Sequence, residues 1–124
     1  MVTIDDDVFG FDGYHSHESF VVTGRFAPDD ALSALGKAAA RFMLVDEEGT
    51  EHPDDEDVMT DLYDRGIYTP NYVATPRLEA DGIHCYVDCK GSIEEPMAAT
   101  FRRILREELS TAGITDAAVR VDAV

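Results

Sequence analysis

A two-residue turn signal, Asp81-Gly82, separates two segments in which apolar and polar residues alternate. Asp-Gly favours a type I′ turn because both central positions need positive φ, and this turn joins two antiparallel strands into a hairpin. Pairing outward from the turn sets Leu78 opposite Cys85 on an apolar face, and Pro76 favours an edge position for the first strand. The other face of the predicted hairpin is polar and pairs Glu79 with His84, Arg77 with Tyr86, and Thr75 with Asp88.

One strand and one helix are predicted on each side of this hairpin. A strand over 19–26 precedes an amphipathic helix, and we expect Asp29 or Asp30 to cap the N-terminus of that helix. After the hairpin, a second helix is predicted over about 92–112 and a last strand over 118–123. The order β-α-β-β-α-β predicts an α+β fold of the ferredoxin-like split βαβ type, in which two helices cover one face of a sheet.

The remaining segments define the domain organisation. A length of 124 residues is typical of one domain, so residues 1–124 are expected to fold as a single unit. Residues 1–18 show no periodic pattern and are predicted to be irregular. Residues 46–72 form an acidic insertion after the first helix, and 54–65 within it is predicted to be a short helix.

The charge balance restricts the classes of partner. The chain has 26 acidic and 10 basic residues and a net charge of −16. Nucleic acids and anionic membranes both select basic surfaces, so we expect neither as a partner. A negative field attracts cations and basic proteins. The alternative is that the net charge only keeps the protein soluble. The acidic residues are concentrated at 5–7 and at 47–57.

The two cysteines, Cys85 and Cys89, are predicted to be free thiols. They lie four residues apart in one predicted strand, so their Cα atoms would be about 13 Å apart, whereas a disulfide needs less than about 7 Å. Free thiols are typical of a reducing compartment, and in this hairpin they would act as small buried hydrophobes. Residues 1–7 lack the pattern of a signal peptide, and no apolar run has the length of a membrane span. We therefore expect a cytoplasmic protein.

No catalytic or cofactor-binding motif is recognisable. The chain lacks a nucleophile elbow, a phosphate-binding loop and a dinucleotide motif, and its acidic runs lack the spacing of a calcium loop. His15 and His17 would point to one side of an extended segment and could chelate a metal, with a third ligand from His52, His84 or Asp88. Because no spacing fixes that third ligand, we predict no metal site, no cofactor and no catalytic residue.

The second helix carries the chain's one basic cluster, formed by Arg102, Arg103 and Arg106. Such a cluster can bind a phosphate or a carboxylate partner. The i,i+4 spacing of Arg103 and Glu107 instead favours a solvated helix face with internal ion pairs, and Arg102 lies near the acidic start of the helix.

The polar face of the predicted sheet has three interpretations. It would carry seven polar side chains, which are Thr23, Arg25, Arg77, Glu79, His84, Tyr86 and Asp88. A split βαβ domain leaves this face uncovered by its own helices. It would therefore be either a plain hydrated face or an interface with another protein or a second copy of the chain. The third interpretation is a catalytic pocket with His84 as the proton carrier.

The absence of catalytic motifs and the net charge of −16 favour a non-enzymatic acidic interaction domain that engages a basic protein, as an inhibitor, immunity-type or adaptor protein would. The alternative is a small homodimeric enzyme or ligand-binding protein with a pocket on the open sheet face. The candidate binding residues are Arg77, Glu79, His84, Tyr86, Asp88, Asp54, Asp55 and Asp57.

Overall fold

The structure, a computed structural model, describes residues 1–6, 8, 17–46, 48–52, 72–73, 76–88 and 95–121. The elements in chain order are β1 (Val2–Ile4), β2 (His17–Gly24), α1 (Pro28–Phe42), β3 (Tyr72–Val73), β4 (Arg77–Glu79), β5 (Gly82–Asp88), α2 (Glu95–Thr111) and β6 (Ala117–Val121). The prediction of an α+β fold is confirmed. The short helix predicted at 54–65 and most of the acidic insertion lie outside the described residues.

The strands form one mixed sheet in the order β1-β6-β2-β5-β3, and β4 also pairs with β5. β1 is parallel to β6, whereas the other neighbours are antiparallel. Both helices pack on one face of this sheet, where their apolar side chains share a core with alternate residues of the strands. No helix among the described residues covers the other face, which we call the open face.

Three aromatic rings lie at the centre of the core. Phe101 of α2 is 1% exposed and contacts Phe20 of β2 at a centroid distance of 5.9 Å and Phe42 of α1 at 4.4 Å. The ring of Phe101 therefore links the sheet to both helices. The helical period predicted this side of α2, whose buried apolar residues are Met97, Ala98, Phe101, Ile104, Leu105 and Leu109.

The N-terminal segment is more ordered than the sequence predicts, since residues 1–18 were expected to be irregular. Val2–Ile4 form β1, which lies at the sheet edge beside β6. Arg106 of α2 donates a hydrogen bond to the carbonyl of Val2 at 3.0 Å, and Val2 and Ile4 are buried in the core. Three residues are too short for a periodic signal, and parallel pairing with the last strand leaves no local trace in the sequence.

The hairpin forms, but its register differs from the predicted one by two residues. Glu79 lies opposite Gly82 and Arg77 lies opposite His84, so Ala80 and Asp81 make the loop. Gly82 belongs to β5 because it packs closely on β2, where an added Cβ would lie 2.6 Å from the carbonyl oxygen of Val22. A two-residue shift preserves which residues share a face, so Arg77, Glu79 and His84 remain together.

The helix ends differ in how well the sequence predicts them. Pro28 occupies the first helical position of α1, so the N-cap is Ala27 and not Asp29 or Asp30. Alanine has no side-chain acceptor, and no side chain caps this end. The C-terminus of α2 is as predicted. Gly113 has φ +80° and its amide donates to the carbonyl of Ser110, while Ile114 donates to Leu109.

Neither helix of the described residues combines the length and the apolar character that crossing a membrane requires.

Candidate functional site

The open face brings three of the predicted site residues together. Arg77 and Glu79 of β4 and His84 of β5 lie side by side, and the Arg77 Nη2 to Glu79 Oε1 distance is 3.7 Å. The backbones of Tyr86 and Asp88 continue along β5, while their side chains are outside what the structure describes. The other candidate residues, Asp54, Asp55 and Asp57, also lie outside the described residues.

His84 is the most enclosed polar side chain of this group. Its imidazole is 15% exposed, and Nε2 lies 2.7 Å from Oδ1 of Asp81 and 3.6 Å from Oε2 of Glu79. Val21 of β2, opposite His84 in the sheet, is 3% exposed although it faces away from the helices. The hydrogen bond from His84 lowers the pKa of Asp81. Three ionisable groups therefore converge beside the β4–β5 loop.

Sequence reasoning missed Asp81 as a member of this group, because it assigned that residue to the turn alone. A usable signal was present in its spacing. A carboxylate at a turn and a histidine three residues later can meet when the turn residue precedes the second strand directly, as Asp81 does here.

The structure changes the interpretation of the acidic insertion at its beginning. Asp46 accepts hydrogen bonds from the amides of Glu48 and Thr50 at 2.9 Å, and its second oxygen lies 2.8 Å from Nε2 of His52. Burial alone would raise the pKa of Asp46, but the hydrogen bonds from His52 and the two amides lower it overall. This carboxylate therefore organises its own loop rather than facing a partner.

Arg41, at the end of α1, joins this loop to α2. Its guanidinium makes a two-point contact with Glu51, with Nε 2.6 Å and Nη2 2.9 Å from the two carboxylate oxygens. It also contacts Glu107 at 3.1 Å and Glu108 at 3.0 Å. The hydrogen bond to Glu51 raises the pKa of Arg41 despite its burial, and the same bond lowers the pKa of Glu51. Glu51 is thus a structural carboxylate.

Replacing Glu51 with glutamine is expected to lower the free energy of unfolding by about 1–2 kcal/mol at pH 7, since a hydrogen bond to a charged group is lost. The pKa of Glu51 is lower in the folded chain than in the unfolded one. Its contribution is therefore present above the unfolded pKa and is lost as pH falls through the folded value. Urea unfolding at pH 7 and at about pH 3 should show the difference between wild type and Glu51→Gln shrinking with acid.

The matched control is Glu48→Gln, which removes the same charge from an exposed side chain of the same loop. It should change the free energy of unfolding by less than about 0.5 kcal/mol. Equal losses in the two variants, or a Glu51 effect that does not depend on pH, would contradict the structural role of Glu51.

The basic cluster of α2 is also engaged inside the molecule, as its spacing predicted. Arg103 contacts Glu107 at 2.8 Å and Glu51 at 3.3 Å. Arg102 contacts Glu95 at 2.6 Å and donates to the carbonyl of Val8 at 2.8 Å. These arginines therefore hold neighbouring segments against α2 and are not a free surface for an anion.

Two acidic segments of the sequence each contact the N-terminal half of α2. Thr100 donates a hydrogen bond to the carbonyl of Gly49 at 2.6 Å, which fixes the loop that carries Glu48. Arg102 holds Val8, just after Asp5 and Asp6, against the same helix. We define the acidic end as the exposed residues Asp5, Asp6, Glu48 and Glu95. In the described part of the chain, no ion pair joins Asp5, Asp6 or Glu48 to a basic side chain.

Cys85 is a buried free thiol on the helix-covered face, as predicted. Burial raises its pKa to about 12, so the reactive thiolate is suppressed at neutral pH. Cys89 lies outside the described residues. Cys85 is therefore part of the core and not of a reactive site.

A cavity of about 360 Å³ lies at the sheet edge, away from the open face. It is lined by residues of the N-terminus and β1, of α2 and of the segment that follows α2, which are Met1, Val2, Arg106, Ser110, Ile114 and Thr115. The residues predicted to line a catalytic pocket do not contribute to it.

Comparisons with protein-family models, with curated proteins and with solved structures gave no match to this chain.

Proposed function

We propose that this chain is a non-enzymatic acidic interaction domain and that its acidic end binds a basic protein, in an inhibitor, immunity-type or adaptor role. We further infer that β2, α1, the β4–β5 hairpin, α2 and β6 form a ferredoxin-like split βαβ unit, with β1 added at the edge. The order β6-β2-β5-β3 and the placement of both helices on one face support this topology.

The observation that carries the proposal is that several arginine side chains are bound by groups of the chain itself. Arg41, Arg102 and Arg103 are each engaged by carboxylates or carbonyls of the chain itself. Within the described residues, the exposed carboxylates of the acidic end other than Glu95 have no such basic partner, and the chain as a whole carries a net charge of −16. Uncompensated surface carboxylates accelerate association with a basic partner and orient it.

The acidic end is the favoured contact surface because it is both exposed and fixed. The loop carrying Glu48 and the segment carrying Asp5 and Asp6 are each tied to α2 by a hydrogen bond of Thr100 or Arg102. A partner therefore meets charges that are already positioned, and it loses less entropy on binding than with a free tail.

The test is capture of basic proteins from the source organism's lysate with wild type and a triple variant, Asp5→Asn, Asp6→Asn and Glu48→Gln. Each exposed charge contributes about 0.5 kcal/mol, so the triple variant should bind the captured protein about tenfold more weakly. The affinity is then measured with the purified partner by calorimetry.

A charge-matched control is Asp29→Asn, Asp30→Asn and Asp116→Asn, which removes three exposed charges near the opposite ends of the strands. This control should retain most of the wild-type affinity. Equal weakening in both triple variants would mean that net charge, not the acidic end, determines binding. No captured basic protein with wild type would contradict the proposal itself.

The cytoplasm suits this function, because Cys85 remains a free thiol and a reducing compartment keeps it so. We retain the open face as a candidate surface for a second copy of the chain. The alternative function remains a small homodimeric enzyme or ligand-binding protein with a pocket on that face.

A further inference from the structure

We propose that Glu79, Asp81 and His84 form a binding site for one divalent transition-metal ion of the Zn²⁺ type. Each residue offers one ligand atom, and the three atoms lie within 4.8 Å of one another. The set combines one imidazole nitrogen with two carboxylate oxygens. This site is independent of the proposed protein partner.

The hairpin places the three donors with little freedom. Glu79 ends β4 and His84 is the third residue of β5, on the same face and diagonally across the strand pair. Gly82 lies opposite Glu79 and contributes no side chain between the carboxylate and the imidazole. Asp81, in the two-residue loop, reaches back to Nε2 of His84 at 2.7 Å.

The distances suit a tetrahedral ion after small side-chain movements. Bonds of about 2.1 Å set neighbouring ligand atoms about 3.4 Å apart in a tetrahedral site. Nε2 of His84 lies 2.7 Å from Asp81 and 3.6 Å from Glu79, so one separation widens and the other shortens slightly. Glu79 and Asp81 are exposed, so their torsions are free to adjust. The ion then takes the position of the proton that His84 and Asp81 share.

The donor chemistry selects the class of metal. A site with only carboxylates would favour Ca²⁺ or Mg²⁺, whereas an imidazole favours Zn²⁺ and its neighbours in the transition series. Three protein ligands leave a fourth position for water.

Some charges around the site oppose the binding of a metal ion and others favour it. Arg77 contacts Glu79 at 3.7 Å, and Arg120 lies close enough to lower the pKa of Asp81 after the larger effect of His84. Both cations oppose a metal ion. Arg77 is largely exposed and can turn into solvent, and the net charge of −16 favours any cation.

The test is calorimetric titration of the full chain with ZnCl₂ in a buffer free of chelators. Wild type should bind one ion per chain at this site, and His84→Ala should weaken that binding at least about tenfold because the only nitrogen ligand is lost. Asp81→Asn is the second variant and should weaken binding in the same way. Circular dichroism checks that both variants fold, and Co²⁺ absorption reports the coordination geometry.

The matched control is His52→Ala. His52 also pairs with one carboxylate, Asp46, at 2.8 Å, but it belongs to no group of three ligands among the described residues. Its loss should leave Zn²⁺ affinity unchanged. The proposal is overturned if wild type shows no saturable binding, or if folded His84→Ala and Asp81→Asn variants bind Zn²⁺ as wild type does.

Discussion

Replacing Phe101 with alanine is expected to lower the free energy of unfolding by about 3–5 kcal/mol, which is a large fraction of the stability of a domain of this size. The ring is 1% exposed and contacts Phe20 and Phe42, so its removal leaves a cavity between the sheet and both helices. The lost aromatic contacts add to the cost of the cavity. Equilibrium unfolding in urea, followed by circular dichroism, measures the change.

The control for this prediction is Leu78→Ala. Leu78 is 57% exposed at the edge of the sheet, so its truncation should change the free energy of unfolding by less than about 0.5 kcal/mol. Similar losses at Phe101 and Leu78 would show that the core is not centred on the three aromatic rings.

The elements that could be predicted from sequence are those with a sustained periodic pattern. The three- and four-residue spacing that runs from Met97 through Ile104 to Leu109 predicts the buried side of α2, because the helical period is sustained over several turns. The alternation along β2 predicts that Phe20 and Val22 face the core.

Features that depend on distant contacts could not be predicted in the same way. β1 is stabilised by a strand at the other end of the chain and by Arg106, and three residues carry no period. The register of the hairpin follows from the close packing of Gly82 on Val22, which the Asp-Gly turn signal does not contain. Arg41 meets Glu51 and Glu107 only after the helices pack.

The candidate site could likewise be predicted from the sequence only in part. Side chains alternate between the two faces of a strand, so a register shift of two residues leaves Glu79 and His84 on the same face. This part of the cluster was therefore predictable. The participation of Asp81 was not, because it depends on which residues close the loop. Likewise, composition predicts an acidic surface, but only the structure separates the structural carboxylates Asp46 and Glu51 from the exposed Glu48.

The second large effect expected is the salt dependence of partner binding. Association through the acidic end depends on exposed charges, and salt screens these over a Debye length that falls from about 14 Å at 0.05 M to about 4 Å at 0.5 M. The Kd for the basic partner should therefore rise by at least about tenfold over this range. Most of the change should lie in the association rate, because long-range steering is the first effect that salt removes.

The most direct test of the proposed function is the Kd of the purified complex measured by surface plasmon resonance from about 0.05 to 0.5 M salt. We expect a steady loss of affinity with salt in wild type and a shallower loss in the Asp5→Asn, Asp6→Asn, Glu48→Gln variant. An affinity that stays constant across this range in wild type would contradict the claim that the exposed carboxylates of this chain bind a basic protein.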